Sequence, residues 1–287
     1  MTTPQTRKRI LLTGGGGQLG RALIHAYSTD ADVILFDRSR TPLDDWIAVR
    51  EAVRDAAPDV VIHAAAETDV DRCEREPEHA WRSITLASRN MARAAAAVDA
   101  SVIHISTNYV FSGGGDTAWH EWSPTGPISV YGATKLAAED EVRQATTRHQ
   151  IIRTAWLYAN DGRNFLTTMR RLIAERESLT VVADQTGNPT FVADLAEAIL
   201  AINTRAPFGT YHVVNSGVAT WFEWADAIRD ELGGGANLSP IAGADWKRDA
   251  QPPTNGAMVS LALPSLGITL PDWHDALQRC MRTGAEV

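Results

Sequence analysis

A chain of 287 residues can bury a sizeable core, as one large domain or two intimate ones. With 44% hydrophobic and 22% charged residues it is not a disordered polymer, and a net charge of −8 argues against general affinity for nucleic-acid backbones. An anionic substrate therefore needs local cations or backbone amides to hold it.

No apolar run approaches the roughly 18 residues that a membrane helix requires. The basic start Arg7-Lys8-Arg9 is followed only by Ile10-Leu11-Leu12 before a glycine run, which reads as a buried strand and not as a signal-peptide core. Cys73 and Cys280 cannot make a disulfide framework and are expected to be inert thiols in a reducing cytosol. The expectation is a soluble, cytoplasmic protein with no membrane or nucleic-acid partner.

Along the first half, short apolar strands are predicted at 10–13, 33–36, 60–63 and 101–106. Between them fall helices at 18–27 and 45–56 and an alanine-rich helix ending at Ala97. This alternation predicts an α/β fold with a doubly wound, Rossmann-type parallel sheet covered on both faces. A loop rich in Gly, Pro and Trp over 111–129 then precedes a helix starting near Tyr131, and its length suggests a functional role. Strands at 151–154 and 179–182 flank a helix at 165–176, and the rest, from about Thr204, is turn-rich. The expected organisation is a dinucleotide-binding domain over 1–155, with 165–203 returning to pack on it. A smaller C-terminal substrate-binding lobe would comprise 156–164 and 204–287.

Glycines at 14, 17 and 20 follow the first strand and open the first helix, a G-x-x-G-x-x-G spacing. Gly14 permits the tight turn, Gly17 lets the backbone approach a pyrophosphate, and Gly20 lets helix and strand pack closely. The pyrophosphate would rest on unpaired amides at the helix N-terminus. Asp37, at the end of the second strand, can accept hydrogen bonds from an adenosine ribose and favours NADH. Arg38 and Arg40 could instead neutralise the 2′-phosphate of NADPH, so the choice of cofactor stays open.

Tyr131 and Lys135 form Tyr-x-x-x-Lys at the start of a helix, and Ser106-Thr107 ends the preceding strand. The i,i+4 spacing puts phenol and ammonium on one helical face. A free phenol titrates near ~10 and is a poor acid–base catalyst, and a neighbouring ammonium is expected to lower that value. Lys135 would also bond the nicotinamide ribose, and Thr107 would hold a substrate carbonyl. The reaction implied is hydride delivery to a carbonyl carbon, with Tyr131 supplying the proton. The eight histidines lack metal-ligand spacing, so no metal is expected, and His63 and His104 read as satisfied core residues.

Beyond these residues, several stretches match a known family in order. They include Gly17-Gln18-Leu19-Gly20, Pro58-Asp59-Val60-Val61-Ile62-His63-Ala64-Ala65-Ala66 and Thr68-Asp69-Val70-Asp71. They continue with Ser106-Thr107-Asn108-Tyr109-Val110-Phe111, Tyr131-Gly132-Ala133-Thr134-Lys135 and Arg153-Thr154-Ala155-Trp156-Leu157-Tyr158. Later come Asn164-Phe165, Asp184-Gln185-Thr186-Gly187-Asn188-Pro189-Thr190 and Gly209-Thr210-Tyr211-His212. On these stretches the chain resembles dTDP-4-dehydrorhamnose reductases, extended short-chain dehydrogenases that reduce a 4-keto sugar nucleotide. The resemblance implies that Gly17, Gln18 and Leu19 line the pyrophosphate site, with Asp37 at the ribose and Ala66 and Thr68 beside the cofactor. It implies a catalytic set of Thr107, Tyr131 and Lys135, and substrate contacts from Thr107, Asn108 and Trp156. The implied partner is a nucleotide sugar, with homodimerisation left open.

The chain also departs from that pattern. Asn108 stands where the family usually has Asp, and Pro252-Pro253-Thr254-Asn255-Gly256 where it has Arg-Pro-x-Asn-Ser. The missing arginine would be a natural diphosphate contact, a part that Lys247 or Arg248 could take. Glu67 replaces an aromatic residue or histidine and is expected to add negative charge beside the cofactor. A helix glutamate associated with magnesium-linked dimers in some relatives is Ala22 here, so no metal is carried over. These changes leave two alternatives beside the sugar-nucleotide reductase: a reductase of a different keto sugar or other carbonyl, and a non-catalytic cofactor-binding regulatory subunit.

Overall fold

The computed structural model describes residues 7–36 and 41–282. Five strands appear where apolar runs predict them: β1 (Lys8–Thr13), β2 (Ala31–Leu35), β3 (Val60–His63), β4 (Ser101–Thr107) and β5 (His149–Thr154). They pair in parallel in the order β5-β4-β3-β1-β2, and the strand Gly209–His212 adds in parallel to the free edge of β5. The strand order reverses between β1 and β3, which opens a crevice at their carboxyl ends.

Alternation along the strands divides two cores. Ile10, Leu12, Val60, Ile62, Ile103 and Ile152 face one layer, which contains Leu19 and Leu23 of α1 (Gln18–Ala26) and Ile199 of the helix Val192–Arg205. Leu11, Val61 and Val102 face the other, against Val49 and Val53 of α2 (Trp46–Ala56) and Met91 of the helix Ala87–Ala97. The alanine-rich stretch is longer and less regular than one helix. It runs through α3 (Val70–Arg75), a turn at Pro77–Ala80 and a π-helical segment Trp81–Leu86. Among the described residues, no helix is long and apolar enough to cross a membrane.

Two segments do not keep the sides that their sequence suggests. Gly209–His212, expected in the C-terminal lobe, is the edge of the main sheet, while Ser178–Val182 leaves that sheet and pairs in parallel with Asn237–Ile241. The first core also includes Leu277 and Cys280 from the last helix, Trp273–Arg282, so the lobe shares its interior with the sheet. Short apolar strands look alike locally, and long-range pairing chooses their partners.

The loop 111–129 anchors the C-terminal segment. Trp119 Nε1 donates to the Asn255 carbonyl at 2.9 Å, and Glu121 accepts from Ser260 Oγ and from the Leu261 amide. The histidine pair is less satisfied than expected. His63 Nδ1 meets Thr13 Oγ1 at 2.9 Å and its ring stacks on His104, but neither ring nitrogen of His104 has a hydrogen-bond partner among the described residues. Burial holds both imidazoles well below their usual range, so they are neutral.

The helix Val130–Ala145 is fixed against β4 and β5 by a buried ion pair. Glu139, fully buried, takes both arms of Arg153 at 2.9 and 2.7 Å and also accepts from Ser106 Oγ at 2.5 Å. Burial alone would raise this carboxyl, but the bonds and charge of Arg153, with Ser106 and Arg143, hold it below its usual range. Removing one partner of such a pair leaves an uncompensated buried charge. Glu139→Leu is therefore expected to lower unfolding stability by about 3–5 kcal/mol in urea denaturation. A loss indistinguishable from that of an exposed substitution would contradict this role.

Candidate active site

A cleft of about 1240 Å³ runs along the carboxyl edge of the sheet. One end is formed by the Gly14–Gly20 loop, the other by the ends of β4 and β5, and the helix Val130–Ala145 borders it. Gly14, Gly17, Gln18, Leu19, Gly20, Ala66, Thr68, Thr107, Asn108, Tyr131, Lys135 and Trp156 all line it. Asp37, Arg38 and Arg40 lie outside the described residues.

The glycine end has the shape of an anion cradle. Gly14 adopts φ +73°, and a Cβ there would come within 3.0 Å of the Ala64–Ala65 backbone. A Cβ on Gly20 would collide with the Gly14 carbonyl, whereas one on Gly16 would meet nothing within 4 Å. Gly17 caps α1 without any side-chain bond, leaving first-turn amides for a ligand. Gln18 is tied to the neighbouring turn through the Leu157 carbonyl, and Arg21 to Asp161 and the Gly16 carbonyl. These residues fit a dinucleotide pyrophosphate.

At the other end, Ser129 caps the helix Val130–Ala145 by accepting from the Gly132 amide, which places Tyr131 in the first turn. Tyr131 lines the cleft together with Thr107, and the Tyr109 ring meets the Tyr131 ring edge-on at 5.3 Å. Gly132 allows this approach, because a Cβ there would strike the Tyr109 carbonyl. Lys135 is 3% exposed and its Nζ donates to the Ile105 carbonyl at 2.5 Å. Burial brings its ammonium down to about 8, with Glu139 opposing that shift. The expected lowering of the phenol is not what the pocket produces. Burial pushes Tyr131 above its ordinary range, and Thr107 offsets this only in part.

Trp156 belongs to both site and core. It lies in the left-handed region at φ +46°, stacks on Trp221 at 3.6 Å and crosses over Gly187, where a Cβ would overlap its indole. Trp221 also lines the cleft, as do Tyr109 and Arg163. Sequence reasoning gave these three no role. Trp221 starts a helix remote from every recognisable motif, and only the local aromatic density Trp221-Phe222-Glu223-Trp224 hints at it.

Other anticipated participants are engaged elsewhere. Glu67 is not part of the cleft lining: its carboxylate accepts from the Thr68 and Asp69 amides and pairs with Arg72 at 3.1 Å. Arg248 is held by Asp71 at 3.0 and 3.2 Å. Within the Asp184–Thr190 stretch the contacts order the chain, as Asp184 accepts from the Gly243 amide and Asn188 from the Met258 amide.

Fold and site define an oxidoreductase of the extended short-chain dehydrogenase class. A family model described as the RmlD substrate binding domain matches residues 8–285. The dTDP-4-dehydrorhamnose reductase of Mycolicibacterium smegmatis is 41% identical over 277 residues, 94% of this chain and 84% of that protein. The Escherichia coli K12 enzyme of the same name is 36% identical over 288 residues, 95% and 96% of the two chains. The crystal structure of Bacillus anthracis dTDP-4-dehydrorhamnose reductase, in complex with NADP, matches with a TM-score of 0.94 at 35% identity. It covers 97% of this chain and all of that one. The chain belongs to the dTDP-4-dehydrorhamnose reductase family.

The close helix–loop contact at Gly20 gives a direct test of the cradle. Gly20→Ala is expected to weaken NADPH binding at least ~10-fold, since the added methyl displaces the loop that carries the amides. Fluorescence titration that gave an unchanged Kd would refute the assignment.

Proposed function

We propose that the chain reduces the keto group of a dTDP-linked 4-keto-6-deoxy sugar to the alcohol, with NADPH or NADH as reductant. The observation that carries the reading is the convergence of Thr107, Tyr131 and Lys135 on one cleft whose far end is the glycine cradle. Bound there, the reduced nicotinamide supplies a hydride. Lys135 and the first-turn amides of α1 would hold the ribose and the pyrophosphate.

The chain's own part is to bind and protonate. Tyr131 presents its hydroxyl to the carbonyl oxygen of the substrate, with Thr107 next to it in the same cleft and Trp156 beside the sugar. As negative charge grows on that oxygen, the Tyr131 O–H bond breaks and its proton moves to the substrate. A phenol raised by burial is fully protonated at neutral pH and so ready to donate. The Lys135 ammonium, on the same helical face, stabilises the phenolate left behind.

Tyr131→Phe is expected to lower turnover of a dTDP-4-keto-6-deoxy sugar about 10²–10⁴-fold while NADPH still binds. Absorbance loss at wild-type rate in this variant would remove Tyr131 from the chemistry. The lysine sets a pH dependence. Below about 8 Lys135 is an ammonium, and above it the charge that stabilises phenolate is lost. The kcat/KM profile should therefore fall on the alkaline side of about pH 8, and a profile flat to pH 10 would contradict the role.

A further inference from the structure

Asn108 and Gly256 touch each other beside Thr107. Asn108 is 2% exposed, and both ends of its amide are used within the protein. Its Nδ2 donates to the Gly256 carbonyl at 3.0 Å, and its Oδ1 accepts from Thr107 Oγ1 at 3.2 Å. A Cβ on Gly256 would land on that Nδ2, so a side chain at 256 would have to displace the amide.

The carbonyl is not free to move. The Gly256 amide donates to the Thr186 carbonyl and the Asn255 amide to the Gly113 carbonyl, each at 2.8 Å. The Asn255 side chain holds the carbonyls of Gly115 and Thr117 at 3.0 and 2.8 Å. A fixed acceptor at 256 dictates which end of the Asn108 amide points to it, and the oxygen must then face Thr107. Thr107 has one hydroxyl proton and gives it to Asn108, while its oxygen accepts from the Tyr109 amide at 3.2 Å.

We propose that Asn108 is a positioning residue, not a substrate contact, and that it forms with Gly256 a matched donor–acceptor pair that orients the Thr107 hydroxyl. The functional half of this proposal rests on the reductase reading. A carboxylate at 108 offers only acceptors and would face the Gly256 carbonyl without a proton between them. It needs a donor at 256, which a serine hydroxyl supplies.

The test compares Asn108→Asp, Gly256→Ala, Gly256→Ser and the two double variants. In turnover with NADPH and a dTDP-4-keto-6-deoxy sugar, each single variant is expected to lose about 10²-fold in kcat, the cost of a misplaced reacting group, with KM and NADPH Kd little changed. Asn108→Asp with Gly256→Ser should recover at least ~10-fold over Asn108→Asp alone, and Asn108→Asp with Gly256→Ala should not. Wild-type kcat in Asn108→Asp, or equal rescue by alanine and serine, would overturn the proposal. Melting temperatures of the same proteins test the pairing without substrate: the Asp–Ser double variant should melt above Asn108→Asp, and strictly additive losses would refute the match. An inert wild type would defeat the reductase reading, leaving the melting comparison to decide the pair.

Discussion

The site depends on how one helix is seated. The helix Val130–Ala145 carries Tyr131, Lys135 and Glu139 at successive i,i+4 positions, and only Glu139 reaches across to the sheet as an ion-pair partner. Its carboxylate grips Arg153 on β5 and Ser106 on β4, at positions paired in the sheet register. That grip sets the rotation of the helix. Two turns earlier it brings the phenol to Thr107, and one turn earlier it buries the ammonium against the Ile105 carbonyl. The pair is a costly device, because desolvating two charges consumes most of their attraction. Loss of one partner would leave a buried charge uncompensated where the helix meets the sheet.

Burial acts in opposite directions on the two reacting side chains. It penalises the charged form of each, so the phenol is pushed up and the ammonium down. The phenol is thereby kept as a proton donor, and the lysine is brought near neutrality, where its charge is available but not fixed. The neutral imidazoles of His63 and His104 beneath it add no competing permanent charge. The cleft thus places a donor and a tunable cation side by side, in keeping with protonation of a developing alkoxide.

Much of this was legible in the chain itself. β1, the three glycines and the helix after them follow from local sterics, since Gly14 needs positive φ and Gly20 admits no side chain. Tyr131 and Lys135 were visible from spacing on one helix. Other readings missed side-chain partners that no motif records. Glu67 was expected to face the cofactor, but Arg72 and two amides turn it away. Arg248 was weighed as a phosphate ligand, yet Asp71 holds it. Trp221 went unrecognised because its place in the cleft follows from stacking on Trp156, 65 positions earlier in the chain.

By itself, the sequence determined what arises within one element: strand and helix type, the glycine turn, and the phenol–ammonium spacing. Each is governed by backbone sterics and periodicity over a few residues. Tertiary structure alone decided which sheet Gly209–His212 and Ser178–Val182 would join, and which way the amide of Asn108 would face. Those choices depend on hydrogen-bond partners brought together by folding, such as the Gly256 carbonyl beside Thr107. No local pattern records where such a partner comes to rest.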